Sequence, residues 1–122
     1  MKDNFKLSVV PITTIDRTRN WRGDVVKTDE ETVYAIMLTR RLVRWLPIKR
    51  YDYLWFDKKL YVIRCNSIAD KVKKGDTVEV RYRSADSMFH MLHTDFASKS
   101  WAEEVIQLMQ EQPDKFIMDE EL

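Results

Sequence analysis

YDYLWFDKKLYVIRC, residues 51–65, sets aromatic side chains in alternation around a short charged turn. Successive side chains of a strand point to opposite sides, so Tyr51, Tyr53 and Trp55 share one face while Leu54 and Phe56 share the other. Asp57-Lys58-Lys59 supplies a polar turn, and LYVIRC (residues 60–65) reads as a returning strand. The stretch therefore predicts a β-hairpin, although its turn lacks the Asn-Gly signature that would set the turn type.

Downstream, Ile68 and Val72 stand at i and i+4, enough for one short helical turn within residues 66–74. Lys74-Gly75-Asp76 then turns the chain into TVEVRYR (residues 77–83), where Val78, Val80 and Tyr82 alternate with Glu79, Arg81 and Arg83. That is the cleanest strand pattern of the chain. Upstream, TVYAIML (residues 32–38) is apolar on both faces and rich in β-favouring residues, the mark of a central strand. Phe5, Leu7 and Val9 alternate with Lys6 and Ser8 as a half-buried strand does, and Pro11, having no N–H, argues against its continuation. Residues 13–31 are polar and interrupted, and read as a long loop with a short strand near residues 24–27. That loop carries Arg17, Arg19, Arg22 and Lys27 around Trp21.

SMFHMLHTDF (residues 87–96) fits a strand or a helix equally. Beyond it, Trp101, Val105, Leu108 and Met109 lie at i, i+4, i+7 and i+8, one apolar stripe of an amphipathic helix over residues 101–111. Ser100 and Glu103 have the spacing of a capping box, and Pro113 lies just past the expected end. Residues 113–122 read as an acidic tail on a single domain formed by residues 1–112. Five or six strands without βαβ alternation, plus one terminal helix, predict an α+β, mainly β fold: a small curved sheet or barrel, OB-like or SH3-like, with the C-terminal amphipathic helix packed on it. KVKKGDTVEV (residues 71–80) resembles turn-and-strand segments common in such barrels, over ten residues of the chain.

Composition narrows the function. The 122 residues are 44% hydrophobic and 34% charged, in the range of a globular chain. No apolar run reaches the ~18 residues of a membrane span, and the first twenty residues lack the layout of a signal peptide. A lone cysteine, Cys65, allows neither an internal disulfide framework nor a multi-cysteine zinc site, so a cytoplasmic location is expected. The only glycines, Gly23 and Gly75, stand alone, which excludes a Walker loop and a dinucleotide fingerprint. The formal charge of +1 conceals a division. Residues 1–94 hold 19 Lys and Arg against 12 Asp and Glu, whereas residues 95–122 hold two against eight. A basic body with an acidic C-terminal segment favours a polyanionic partner, or a segment that competes for the same surface.

The aromatic and basic interleaving near residues 40–61 is the strongest functional candidate. Bases stack on aromatic faces while Lys and Arg attract phosphates, so this composition fits single-stranded DNA or RNA. The candidate nucleic-acid-binding residues are Arg40, Arg41, Arg44, Trp45, Lys49, Arg50, Tyr51, Tyr53, Trp55, Arg81 and Arg83. The same residues also suit the bland alternative of a sheet core and a solvated charged face. Trp, Tyr and Arg equally dominate protein interface hot spots, so a protein-interaction module (an inhibitor, adaptor or accessory factor of phage or plasmid type) is the competing reading. Its contact would be residues 13–31 or the acidic segment. WRGDVV (residues 21–26) is similar to a string found in ribonuclease-like toxin barrels, but it follows twenty residues instead of opening the first strand.

No motif predicts catalysis or a cofactor. His90 and His93, with Asp95 and Cys65, are the only conceivable metal set, and Cys65 at the end of an apolar strand reads as a buried, inert thiol. No Ser-His-Asp order and no HExxH is present, so a non-catalytic protein without metal or cofactor is expected.

Overall fold

The computed structural model describes residues 5–41, 49–57, 62–84 and 93–120. Within them run β1 (Phe5–Arg19), β2 (Val25–Arg41), β3 (Lys49–Phe56), β4 (Val62–Ile63), α1 (Ser67–Lys73), β5 (Val78–Ser84), β6 (Asp95–Phe96), α2 (Lys99–Glu111) and β7 (Phe116–Glu120), with a 3-10 turn at Pro113–Lys115. The strands form one sheet in the order β4-β6-β2-β3-β5-β7, with β1 paired along β2. It curls into a half-barrel with two helices, the small, mainly β, α+β fold that the alternation pattern implies.

The curl has a local cause. β1 pairs with β2 over its whole length, so β3 and β6 share the second edge of β2. β3 takes residues 37–41, and β6 takes Tyr34 and Ala35. Buried Thr94 stitches the wedge between them: its N–H donates to the Leu54 carbonyl (3.1 Å), and its Oγ1 accepts from the Phe56 N–H (2.9 Å). Ala97 N–H donates to the Ile63 carbonyl (2.9 Å) and holds β4 to the same seam.

The core lies on the face of the sheet that carries Ile36 and Leu38 of β2, Leu54 and Phe56 of β3, and Val78 and Val80 of β5. Both helices pack there, α1 through Ile68, Ala69 and Val72, and α2 through Ala102, Val105, Leu108 and Met109. Phe56 and Phe96 meet edge to face at 6.1 Å between ring centres, a favourable aromatic geometry. The stripe read for α2 is the buried stripe, with Trp101 packed at its margin.

Several expectations change. The predicted hairpin over residues 51–65 does not form: β3 is flanked by β2 and β5, which leaves it no free edge, and β4 pairs in parallel with β6. The predicted loop over residues 13–31 is instead the outer part of a β1–β2 ribbon. Pro11 sits inside β1, which tolerates it because β1 pairs with β2 alone and is an edge strand. The capping box does not form either; α2 starts at Lys99 after Ser98, whose Oγ bonds the Ser100 Oγ (2.7 Å) and caps nothing. The segment expected as an acidic tail enters the sheet as β7, parallel to β5, with Phe116 buried. In residues 87–96, Asp95 and Phe96 are strand and residues 87–92 lie outside the described residues.

Candidate functional site

Strand alternation puts Asp52, Leu54 and Phe56 of β3 on the buried side, so Tyr51, Tyr53 and Trp55 face away from the core. They differ in accessibility. Tyr51 is 48% exposed, while Tyr53 and Trp55 are half-buried. Tyr53 stacks on His93 at 4.8 Å between ring centres, and His93 Nδ1 lies 2.8 Å from Asp95 Oδ1. Arg81 sits directly across from Trp55 in the β3–β5 ladder, and Arg83 occupies the position across from Tyr53. The Trp55 indole N–H meets no acceptor among the described residues. This face therefore offers one open aromatic ring, two partly covered ones and an adjoining cation.

The other candidate cations do not all join it. Arg40 and Arg50 lie on the opposite side of the sheet, around buried Asp52. Arg50 Nε donates to Asp52 Oδ1 (2.8 Å), and Arg40 Nε lies 3.5 Å from Oδ2. The Arg40 guanidinium also covers the Tyr82 ring at 5.2 Å. These two arginines neutralise a carboxylate that burial would otherwise make costly, a structural role. Arg41 and Lys49 are register partners at the end of the β2–β3 ladder. Arg44 and Trp45 lie outside the described residues.

A second assembly was not foreseen in the sequence. Apart from Asn20, every residue from 13 to 32 is exposed, yet the β1–β2 register continues unbroken from Thr13↔Thr32 to Thr18↔Lys27. At ~3.3 Å per residue, the ribbon reaches roughly 25 Å beyond Thr13. Its tip is a three-residue loop, Trp21-Arg22-Gly23, of the type I turn plus bulge kind, with Gly23 at φ +86°. The Asn20 side chain accepts from the N–H groups of Arg22 (2.9 Å) and Asp24 (3.0 Å), and Arg19 Nη1 donates to the Gly23 carbonyl (2.8 Å). Trp21 is 87% exposed, with the Arg22 guanidinium 4.8 Å from its ring centre. Val26 (61%) and Ile15 (51%) are exposed as well. The signal for this arm was its β-branched content (Thr13, Thr14, Ile15, Thr18, Val25, Val26, Thr28) and the Asn-Trp-Arg-Gly turn.

Charge is segregated along the arm. Its outer part, residues 17–27, holds Arg17, Arg19, Arg22 and Lys27 against Asp24 alone. Nearer the sheet lie Asp16, Asp29, Glu30 and Glu31, without a cation among residues 13–16 or 28–32. Asp16 and Asp29 stand directly opposite each other, an unfavourable cross-strand pair eased by Lys27 at 3.6 Å from Asp29. Arg64 ties Glu31 back to the body at 2.8 Å.

Among the described residues no group of three or more His, Cys, Asp or Glu converges to hold a metal ion. Cys65, expected to be buried, is exposed in the bend before α1. No described helix is long and apolar enough to cross a membrane. Comparison with known proteins gives no match, whether to a family model, a curated protein or a solved structure.

Proposed function

We propose that this domain is a non-catalytic nucleic-acid-binding module whose outward sheet face takes single-stranded DNA or RNA. The observation that carries the reading is the orientation of Tyr51, Tyr53 and Trp55, all turned from the core, beside Arg81 on the neighbouring strand. A base stacked on exposed Tyr51 contributes about 1–3 kcal/mol, and the strand backbone then runs toward the β5 cation. Base stacking is tolerant of sequence, so weak sequence preference is expected. β7 runs beside β5 on that side of the sheet, with Asp119 at the register position of Arg81.

The test is a fluorescence anisotropy titration of a labelled single-stranded oligonucleotide with the wild-type chain and with Tyr51→Ala. Loss of one stacked base weakens binding by roughly tenfold. Equal affinity of the two proteins, or no binding by either, removes the reading.

A second reading has its own observation. Trp21, Val26 and Ile15 expose apolar surface next to arginines, the composition of a protein-interface hot spot. A protein captured by the wild type and lost with Trp21→Ala, from a domain without affinity for oligonucleotides, would put this reading in place of the first.

A further inference from the structure

The exposed arm contributes no residue to the core cluster beyond its root, and of its acidic shaft Glu31 is tied to the body, through Arg64. We infer that it is a second nucleic-acid-binding element, whose tip enters the major groove of duplex DNA. The inference extends the nucleic-acid reading above to a different site and a different form of the ligand.

Shape supports it first. Strands ~4.8 Å apart with their side chains make a ribbon about 10 Å across, and the major groove of B-form DNA, ~12 Å wide, admits a two-stranded ribbon. The major groove of A-form RNA is too deep and narrow to be read this way, so the geometry selects DNA. Charge then sets the depth of entry. The cations at Arg17, Arg19 and Lys27 reach the phosphates flanking the groove, while Asp16, Asp29, Glu30 and Glu31 repel the backbone from the shaft. Contact is thereby confined to the last ~13 Å of the arm, from Arg17 to Trp21, about one groove width.

The tip is also built before any ligand arrives. The Asn20 side chain, the Gly23 turn and the Arg19–Gly23 hydrogen bond fix its loop, so little chain entropy is lost on docking. At the end of this loop, Trp21 presents an apolar plane, and Arg22 carries the fork of donors that suits the O6 and N7 acceptors of guanine. Arg19 uses one N–H on Gly23 and retains others for a phosphate.

The experiment compares duplex DNA, duplex RNA and single-stranded DNA of one sequence, each about twenty nucleotides long, over a salt series. It uses the wild type, the triple variant Arg17→Gln/Arg19→Gln/Arg22→Gln, and Tyr51→Ala, with circular dichroism and thermal melting as controls of folding. The triple variant is expected to lose at least roughly tenfold in duplex DNA affinity, and about two units from its log–log salt slope (Arg17 and Arg19), while keeping single-strand binding. Tyr51→Ala is expected to do the reverse. Tip-dependent duplex DNA binding without single-strand binding would remove the sheet-face reading and leave the arm in place. Absence of duplex DNA binding overturns the inference. So does a triple variant with unchanged affinity and slope, or duplex RNA bound through the tip as tightly as DNA.

Discussion

β2 is one strand in two environments. Over residues 33–40 it is the middle of the sheet, with Val33, Ala35, Ile36 and Leu38 buried and partners on both edges. Over residues 25–32 the same strand is exposed on both faces and paired with β1 alone. Each buried aliphatic side chain of the first region contributes about 1.5–3 kcal/mol, whereas each ladder hydrogen bond of the second nets only about 0.5–1.5 kcal/mol. A free hairpin of this kind is marginal in water. It persists because the buried half of β2 holds one end in register and the Asn20–Gly23 turn closes the other. Regular structure thus needs anchoring at its ends and can dispense with burial along its length. The unburied length is then available for contact with a partner.

Substitutions should separate the two halves. The largest effect is expected in the body: Leu54→Ala, at a fully buried position on β3, should cost about 2–5 kcal/mol in chemical denaturation. Asp52→Ala should cost a similar amount, about 3 kcal/mol, because it leaves Arg40 and Arg50 partly buried without their carboxylate. In the arm, Gly23→Val places a β-branched residue at a positive φ and strains the turn by about 1–2 kcal/mol. Its signature is faster amide exchange confined to residues 17–27, with the melting of the body unchanged. If the body melts with it, arm and sheet form one cooperative unit and the comparison fails. Val26→Lys, on the exposed ribbon, should stay within about 0.5 kcal/mol of wild type.

The smallest effect lies between the helices. Lys73 donates to Glu104 at 2.6 Å, and that carboxylate holds the ammonium above its ordinary pKa. A raised lysine value means that the contribution is complete at neutral pH and is lost only as pH rises through the alkaline lysine range. The pair is exposed to solvent and screened, so Lys73→Met should leave the melting temperature at pH 7 unchanged.

What could be read from sequence follows the same division. Residues 32–38, 51–56 and 77–83 and the stripe of α2 declared themselves because burial imposes a period on side chains, and that period survives in the sequence. The arm escaped because exposed strands impose no such period: Asp16, Arg17, Lys27 and Asp29 are all acceptable to water. The hairpin over residues 51–65 failed for another reason. Alternation identifies a strand but not its neighbour: β3 pairs back with the preceding strand β2 on one edge and with the more distant β5 on the other, and neither choice is marked in residues 57–65. At the candidate site, alternation made legible that Tyr51, Tyr53 and Trp55 share a face, but not that Leu54 and Phe56 are the buried side, because aromatics suit a sheet core as well. The diversion of Arg40 and Arg50 to Asp52 was not, because it depends on which side of the sheet closes over the carboxylate.

The most direct test of the nucleic-acid reading is the slope of log affinity against log salt for a single-stranded oligonucleotide, measured between ~50 and ~200 mM. Each phosphate that the domain neutralises on a single strand should contribute about −0.7 to that slope, so the cation beside the aromatic face predicts a falling line of about that slope or steeper. A flat line, or no binding across the range, would contradict the account.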